Sequence, residues 1–396
     1  MIFMRHFKKL LSAVLAALMV CSCMMVSVSA DDSLIGTAGS FNIINYNVAG
    51  LPIPSSETED GRDALADTLL IGTMLNFLNY DIVAIQEDFN YDIYLRDLMT
   101  NYKNETNILG NLTERHQTEH SGGVPLGDGL NVFSKYALYN EFRVTWEESS
   151  GVFEGGSDEL TYKGFLVTTI KLAEGYYLDI YDIHADAYGD IGSVNARKAQ
   201  YKQLADYIKK HSVYDETTGK YDHAVIVTGD FNSSICTEES KGDPYLISLL
   251  LEAAHLNDAW AVHQITEIVE NPEDYSAYYT YAKETDLSYS ESQGHYDSVE
   301  RICYADGNGI DITCDSFSYL EMLSPVTKLP LSDHCAADAT FSFEIVEKVQ
   351  DTSHSHDKET IKAEKGFIAQ FLEFLASIFR AIGKLFSGLG KEDVLA

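Results

Sequence analysis

The stretch AVIVTGDFNSS, Ala224 to Ser234, decides how this chain is read. A run of apolar residues leads directly into Gly229-Asp230-Phe231-Asn232. Residues two apart on an extended chain point to the same side. Asp230 and Asn232 are therefore expected to project together from the end of a buried strand. That pairing suits a metal-phosphate site. It equally suits a plain turn, because Gly, Asp and Asn are all turn formers. The rest of the sequence must choose between the two.

Working outward, apolar runs alternate with helix-spaced segments from about residue 40 to 348. FNIINYNV (41–48) interleaves apolar and polar residues as a strand does. DALADTLLIGTMLNFLNY (63–80) has helical spacing at Leu65, Leu69, Leu70, Met74, Leu75 and Leu78. It leads into DIVAIQE (81–87), a buried strand that ends on an acid. GLNVFSK (129–135), GFLVTTIKL (164–172) and YYLDIYDIHAD (176–186) read as further strands, and 194–210 as a helix. Another helix is expected near 244–254. Strands are expected near 299–305 and 312–320, and HCAADATFSFEI (334–345) closes the domain. No repeat of fixed short period occurs.

Polar or charged residues mark five of these strand ends. They are Asn47, Glu87, His184, Asp230 with Asn232, and Asp333 with His334 just ahead of the last strand. Each alone has a bland reading, since a buried His with a backbone partner is common. Five in this order suggest convergence on one cleft, the kind of place where ligands bind.

NYNVAGLP, IQED, DIHADA, GDFNSS and LSDH resemble the motif series of the endonuclease/exonuclease/phosphatase superfamily, over roughly residues 40–345. GLNVFSK, KGFLVTT and NARKAQ are similar to lesser landmarks of that group. The resemblance implies a DNase I-like α/β fold. This is a four-layer αββα sandwich of two packed mixed β-sheets flanked by helices. It also implies cleavage of phosphate esters with Mg²⁺ or another divalent cation. Asn47, Glu87 and Asp333 would be metal ligands, hard oxygen donors of the kind Mg²⁺ prefers. His334 would be the general base toward water. Asp230 and Asn232 would orient that water and the phosphate, and His184 would bond the non-bridging oxygens. Asp333 would support the metal or the adjacent His334. The superfamily places an Asp behind the last His. Here SVERICY puts Glu300 at that position, with Asp297 as another acid within reach, and a slipped alignment would put Cys303 there.

The superfamily leaves the substrate open. YNVAGLP is closer to the bacterial sphingomyelinase branch than to the DNA-repair branch. A phospholipid-headgroup phosphodiesterase therefore comes first. A secreted DNase I-like endonuclease comes second, and a phosphatase of small molecules or inositol phosphates third. An inactive ligand-binding module comes last.

Charge and chain ends add context. The 396 residues are 45% apolar, carry 61 Asp and Glu against 28 Lys and Arg, and have a formal charge of −33. Such a surface repels polyanions, so broad nucleic-acid binding is disfavoured; solubility alone is the plainer reading. Residues 1–30 read as a secretory signal, with Arg5, Lys8 and Lys9 ahead of an apolar run and Val28-Ser29-Ala30 at the cleavage point. A lipid anchor on Cys23 is a second reading of that segment. The product would be exported, with 31–348 as its catalytic domain. Four cysteines would remain, and a bridge between Cys303 and Cys314 across their Gly-Asn-Gly turn is an expectation. The Tyr-rich stretch 275–296 reads either as a lipid- or sugar-facing surface or as cover over a sheet. Residues 349–366 read as a polar linker. Residues 367–396 form a tail whose part 367–390 is an amphipathic helix with one narrow polar stripe. That helix would lie on a membrane surface, dock on a partner or pack on its own domain.

Overall fold

The computed structural model describes residues 38–50, 63–89, 91–106, 127–151, 163–233, 246–265, 298–346 and 348. These fall within the unit Ser33–Ala396. The signal segment, the Tyr-rich stretch, the linker, the tail, Cys236 and Asp297 lie outside the described residues.

In chain order the first half holds β1 (Ala38–Asn47), α1 (Ala64–Leu78), β2 (Ile82–Gln86), α2 (Asp92–Leu98), β3 (Asn104–Glu105), β4 (Asn131–Ser134), β5 (Leu138–Thr145), β6 (Gly164–Ala173) and β7 (Tyr176–His184). Then come α3 (Ile191–His211), β8 (Tyr214–Asp215), β9 (Lys220–Tyr221), β10 (Ala224–Asp230), α4 (Leu246–Ala253), β11 (Asn257–Asp258), α5 (Ala259–Ile265), β12 (Glu300–Ala305), β13 (Ile310–Leu320) and β14 (Ala336–Ile345). One sheet has the order β13-β14-β1-β2-β4-β3 and the other β11-β12-β10-β7-β6-β5. Both are mixed: β1 runs parallel to β2 and antiparallel to β14, while β10 runs parallel to β7 and antiparallel to β12.

Alternation along the strands builds the layers. Ile43, Ile82 and Ala84 of the first sheet meet Leu178, Ile180, Ala224 and Ile226 of the second in a shared core between the sheets. The intervening residues point outward. Ile44, Val83 and Ile85 pack with Ile71 and Leu75 of α1 and Leu95 of α2. Val225, Val227, Tyr181 and Ile183 pack with Tyr201, Leu204 and Ile208 of α3 and Leu250 of α4. The order is helix, sheet, sheet, helix, the four-layer αββα sandwich expected. The central strands are apolar on both faces because both faces are covered.

Local signals set the boundaries. Asp63 caps α1 by accepting from Ala66 N, and Asn79 ends it in the left-handed conformation. Asp190 caps α3 through Gly192 N and Ser193 N, so this helix begins three residues before the apolar periodicity does. The expected bridge between Cys303 and Cys314 is absent: both are free and buried. Cys303 packs on the helix side of the second sheet, and Cys314 belongs to the core between the sheets. A connection short in sequence thus leads from one sheet to the other.

Candidate active site

Four parallel-paired strands deliver their C-terminal ends to one edge of the sandwich. Asn47 ends β1, Gln86 ends β2, His184 ends β7 and Asp230 ends β10. In the second sheet Asp230 is in register with His184 on one side and with Glu300, the first residue of β12, on the other. Residues in register on neighbouring strands share a face, so these three form a row.

Glu87 reaches the site by a backbone turn. Gln86 points between the sheets, so strict alternation would send Glu87 outward. Glu87 instead adopts φ 56°, a left-handed conformation uncommon for a side chain with Cβ. Its carbonyl accepts from Gly50 N and Phe89 N, at 3.0 and 2.9 Å. A Cβ on Gly50 would come within 2.5 Å of that carbonyl, so only glycine fits the close approach.

The side chains meet around Asn47. Its Nδ2 lies 3.0 Å from Asp230 Oδ2, 3.3 Å from Glu87 Oε1 and 3.4 Å from His334 Nε2. Its Oδ1 accepts from Ala49 N, which fixes the amide orientation. His184 Nε2 stands 3.5 Å from Asp230 Oδ2 and 3.8 Å from Glu87 Oε1. Both His184 ring nitrogens are buried and, among the described residues, have no hydrogen-bond partner. His334 Nε2 is 3.9 Å from Asp230 Oδ2, and its Nδ1 makes a short contact with Glu300 Oε1.

Glu300 thus contacts the His334 ring from the position where the resemblance expected an Asp. It is fully buried, and its Oε2 accepts from Ser298 Oγ and, at 3.6 Å, from Cys335 Sγ. Cys303 takes no part, since it lies in the helix-side core. Ser332 holds the segment that carries His334. Its hydroxyl donates to Asn47 O at 2.7 Å and accepts from His334 N at 3.1 Å. Asp333 is exposed at the rim.

The opening stretch is a turn and a site component together. Asp230 Oδ1 accepts from Asn232 N at 2.8 Å, closing the turn, while Oδ2 faces Asn47. Asn232 has φ 49°, so the extended-chain premise behind same-side projection fails there. Its Nδ2 donates to Ala185 O, beside His184, which keeps Asn232 at the same edge by a different route.

Electrostatics follow from burial and crowding. Burial, helped by Asp333 and opposed by Lys163 and His334, pushes Glu87 above the usual carboxyl range. Burial first, then Glu300, pushes Asp230 up to about 6. Burial, Lys163 and His334 hold His184 well below an ordinary imidazole, so it is neutral. Burial alone would lower His334, but Glu300, Asp230 and Asp333 outweigh it and raise the ring well above its usual value. Burial would raise Glu300, yet the facing His334 pulls it below the ordinary value.

The donor set fits one divalent cation. Glu87 and Asp230 supply hard oxygens, and a cation would relieve the burial of two close carboxylates. Asp230, Glu300 and His334 also bring ligand atoms within 4.8 Å of one another. That second grouping is better read as a hydrogen-bonded carboxylate–imidazole pair than as a cation site, because Glu300 already spends one oxygen on His334 and the other on Ser298. Asn47 shows its nitrogen to the cluster; its oxygen is engaged by Ala49.

Sequence reasoning missed Asn45, Gln86 and Asp182, which lie under the site, as well as Ser298, Ser332 and Lys163. Lys163 is buried, and its charge is felt by Glu87, His184 and Asp230. Its KG dipeptide at the head of β6 was the only available signal.

The described residues form an α/β sandwich of two mixed sheets with helices on their outer faces. No protein-family profile matches it. Its sequence is 33% identical over 227 residues to sphingomyelinases of Mycobacterium bovis and Mycobacterium tuberculosis, covering 56% of this chain and 39% of each relative. The chain thus spans well under half the length of these relatives. Among solved structures it is similar to a Staphylococcus aureus beta toxin mutant with bound magnesium ions, at TM-score 0.49 and 17% identity, over 76% of this chain and 99% of that one. It is also similar to sphingomyelinase C from Streptomyces griseocarneus, at TM-score 0.49 and 16% identity, over 76% and 99% of the two chains.

Proposed function

We propose that the chain is a metal-dependent phosphodiesterase that cleaves a phospholipid headgroup as a sphingomyelinase C does. The observation that carries this reading is the His334–Glu300 pair, with His334 Nε2 3.4 Å from Asn47 Nδ2 and 3.9 Å from Asp230 Oδ2, while Asn47 reaches Glu87 at 3.3 Å. His334 Nε2 would take the proton of the attacking water while Glu300 holds Nδ1, fixing the tautomer. Asp230 would orient that water through Oδ2, and Asn232 would steady the turn beneath it. His184, neutral and with unpartnered ring nitrogens, would donate to a phosphoryl oxygen as negative charge builds there. Glu87 is the principal cation ligand in this reading, with Asp333 reinforcing it from the rim. Asn47 steadies both carboxylates, and could lend its own oxygen only by releasing Ala49 N–H. Bound there, Mg²⁺ or another divalent cation would polarise the phosphoryl oxygen, steady the leaving oxyanion and ease His334 toward its neutral form.

Three observations support a lipid substrate. The relatives it resembles in sequence are named sphingomyelinases. Tyr188 and Ile191 on the segment leaving His184, and Leu323, Val326 and Leu329 on the segment leading to His334, are exposed apolar side chains. The formal charge of −33 disfavours DNA. In this reading the protein is exported, and 367–390 adds a membrane-surface contact. The test is product release from sphingomyelin vesicles beside plasmid DNA and inositol phosphates, with and without EDTA. Cation-dependent release from vesicles, lost in Glu87→Ala and His334→Ala, is expected. DNA cleavage alone would move the reading to a nuclease, and phosphate release from inositol phosphates alone to a phosphatase. Tight ligand binding without turnover would make the domain a binding module.

A further inference from the structure

One layer below the site, three buried polar side chains bridge the two sheets. Gln86 Nε2 donates to Asn45 Oδ1 and to Asp182 Oδ1, each at 2.6 Å. Asn45 Nδ2 donates to Gly229 O at 3.1 Å. Asn45, Gln86 and Asp182 are all completely buried. Asn45 and Gln86 belong to the first sheet, and Asp182 and Gly229 to the second.

The same four strands supply both levels. β1 gives Asn45 here and Asn47 above. At β2, Gln86 sits here and Glu87 directly after it. β7 gives Asp182 and His184, and β10 gives Gly229 and Asp230. The core below is apolar, and apolar contact is non-directional. Directional bonds are needed to fix the offset of one sheet against the other, and these bonds supply them at the layer nearest the chemistry. Gly229 contributes by conformation: it has φ 142°, and a Cβ there would lie 2.1 Å from Ile183 O.

We propose that Asn45, Gln86 and Asp182 form a positioning layer that sets the separation and offset of the two sheets, and so the geometry of Asn47, Glu87, His184 and Asp230. Among the described residues, Gln86 Oε1 has no hydrogen-bond partner. Burial drives Asp182 above the usual carboxyl range, and its Oδ1 acts as an acceptor for Gln86 Nε2, a role that the amide oxygen of an asparagine can take over. The inference rests on the function proposed above for its kinetic consequence. Its effect on cation binding stands apart from any substrate.

The test compares Asp182→Asn with Asp182→Leu by sphingomyelin-vesicle kinetics, Mn²⁺ titration and thermal melting. Asp182→Asn should keep kcat and Mn²⁺ affinity within about threefold of wild type, and Asp182→Leu should lose about 10²-fold in kcat, the scale of an ångström-level misplacement. Mn²⁺ affinity should weaken in Asp182→Leu, with KM for vesicles nearly unchanged. Asp182→Leu leaves one buried Gln86 Nε2–H without its acceptor, so its melting temperature should fall modestly while the chain still folds. Wild-type kcat and Mn²⁺ affinity in Asp182→Leu would overturn the inference, as would an equal fall in Asp182→Asn. If Asp182→Leu does not fold, Asn45→Leu replaces it, removing the bond to Gly229. Failure of both to fold would also overturn the inference, because the layer would then hold the fold rather than the site. A wild type inert toward vesicles would sink the proposed function instead, and the Mn²⁺ comparison would decide this inference by itself.

Discussion

Glu300 is one methylene longer than the Asp that the sequence resemblance led one to expect at its position, yet it meets His334 Nδ1 directly. The extra reach fits because Glu300 opens β12 from a fully buried position beside Asp230. Burial pulls the His334 ring down, and the Glu300 charge lifts it. Replacing Glu300 by Gln removes that charge, so the folded pKa of His334 falls. A base works only when neutral. The acid limb of kcat/KM in Glu300→Gln should therefore move to lower pH, while peak kcat drops by roughly 10²- to 10⁴-fold through loss of ring orientation. A pH–rate profile of wild type and variant checks both. An unmoved limb would mean that Glu300 does not hold this ring.

At the scale of elements, β10 depends on one glycine and α3 on one cap. A methyl at Gly229 would meet Ile183 O at 2.1 Å with φ at 142°. Gly229→Ala should cost about 3 kcal/mol or more by denaturant unfolding, combining strain with a backbone clash. Asp190 accepts from Gly192 N and Ser193 N at 2.9 and 3.1 Å. Asp190→Ala should cost only about 1 kcal/mol, with an unchanged denaturant slope. Elements also mark where periodicity fails as a guide. The edge strand β5, LYNEFRVT, mixes half-buried and exposed positions, so its sequence carries no clean alternation. α5 is a short helix, and its residues Ala259, Trp260 and Ala261 plug the core between the sheets. A segment so brief and so largely covered has too few turns to show a helical stripe.

For the molecule as a whole, the site is a load of negative charge that burial makes unfavourable without a counter-ion. Burial raises the folded pKa of Asp230 to about 6. A raised carboxyl favours folding while protonated, and that contribution is lost as pH rises from the unfolded value, about 4, through about 6. Below about 6, a cation bound there must displace the proton. Mg²⁺ should therefore raise the melting temperature more at pH 7 than at pH 5. Apparent affinity should climb by up to about tenfold per pH unit below about 6 and level off above it. EDTA should abolish the difference. Equal Mg²⁺ shifts at both pH values would show that Asp230 is not part of the cation's environment.

Sequence by itself determined which residues end the apolar runs, and hence the candidates Asn47, Glu87, His184, Asp230, Asn232, Asp333 and His334. Alternation and helical spacing also carried the order of strands and helices, because those signals are local. Other features were decided only in three dimensions. Asn47 and His334 meet across 287 positions, Gln86 and Asp182 across 96, and Cys303 and Cys314 part onto different faces despite their closeness in the chain. A side-chain hydrogen bond needs its partner placed to within tenths of an ångström. No spacing along the chain supplies that placement; the stacking of two twisted sheets does.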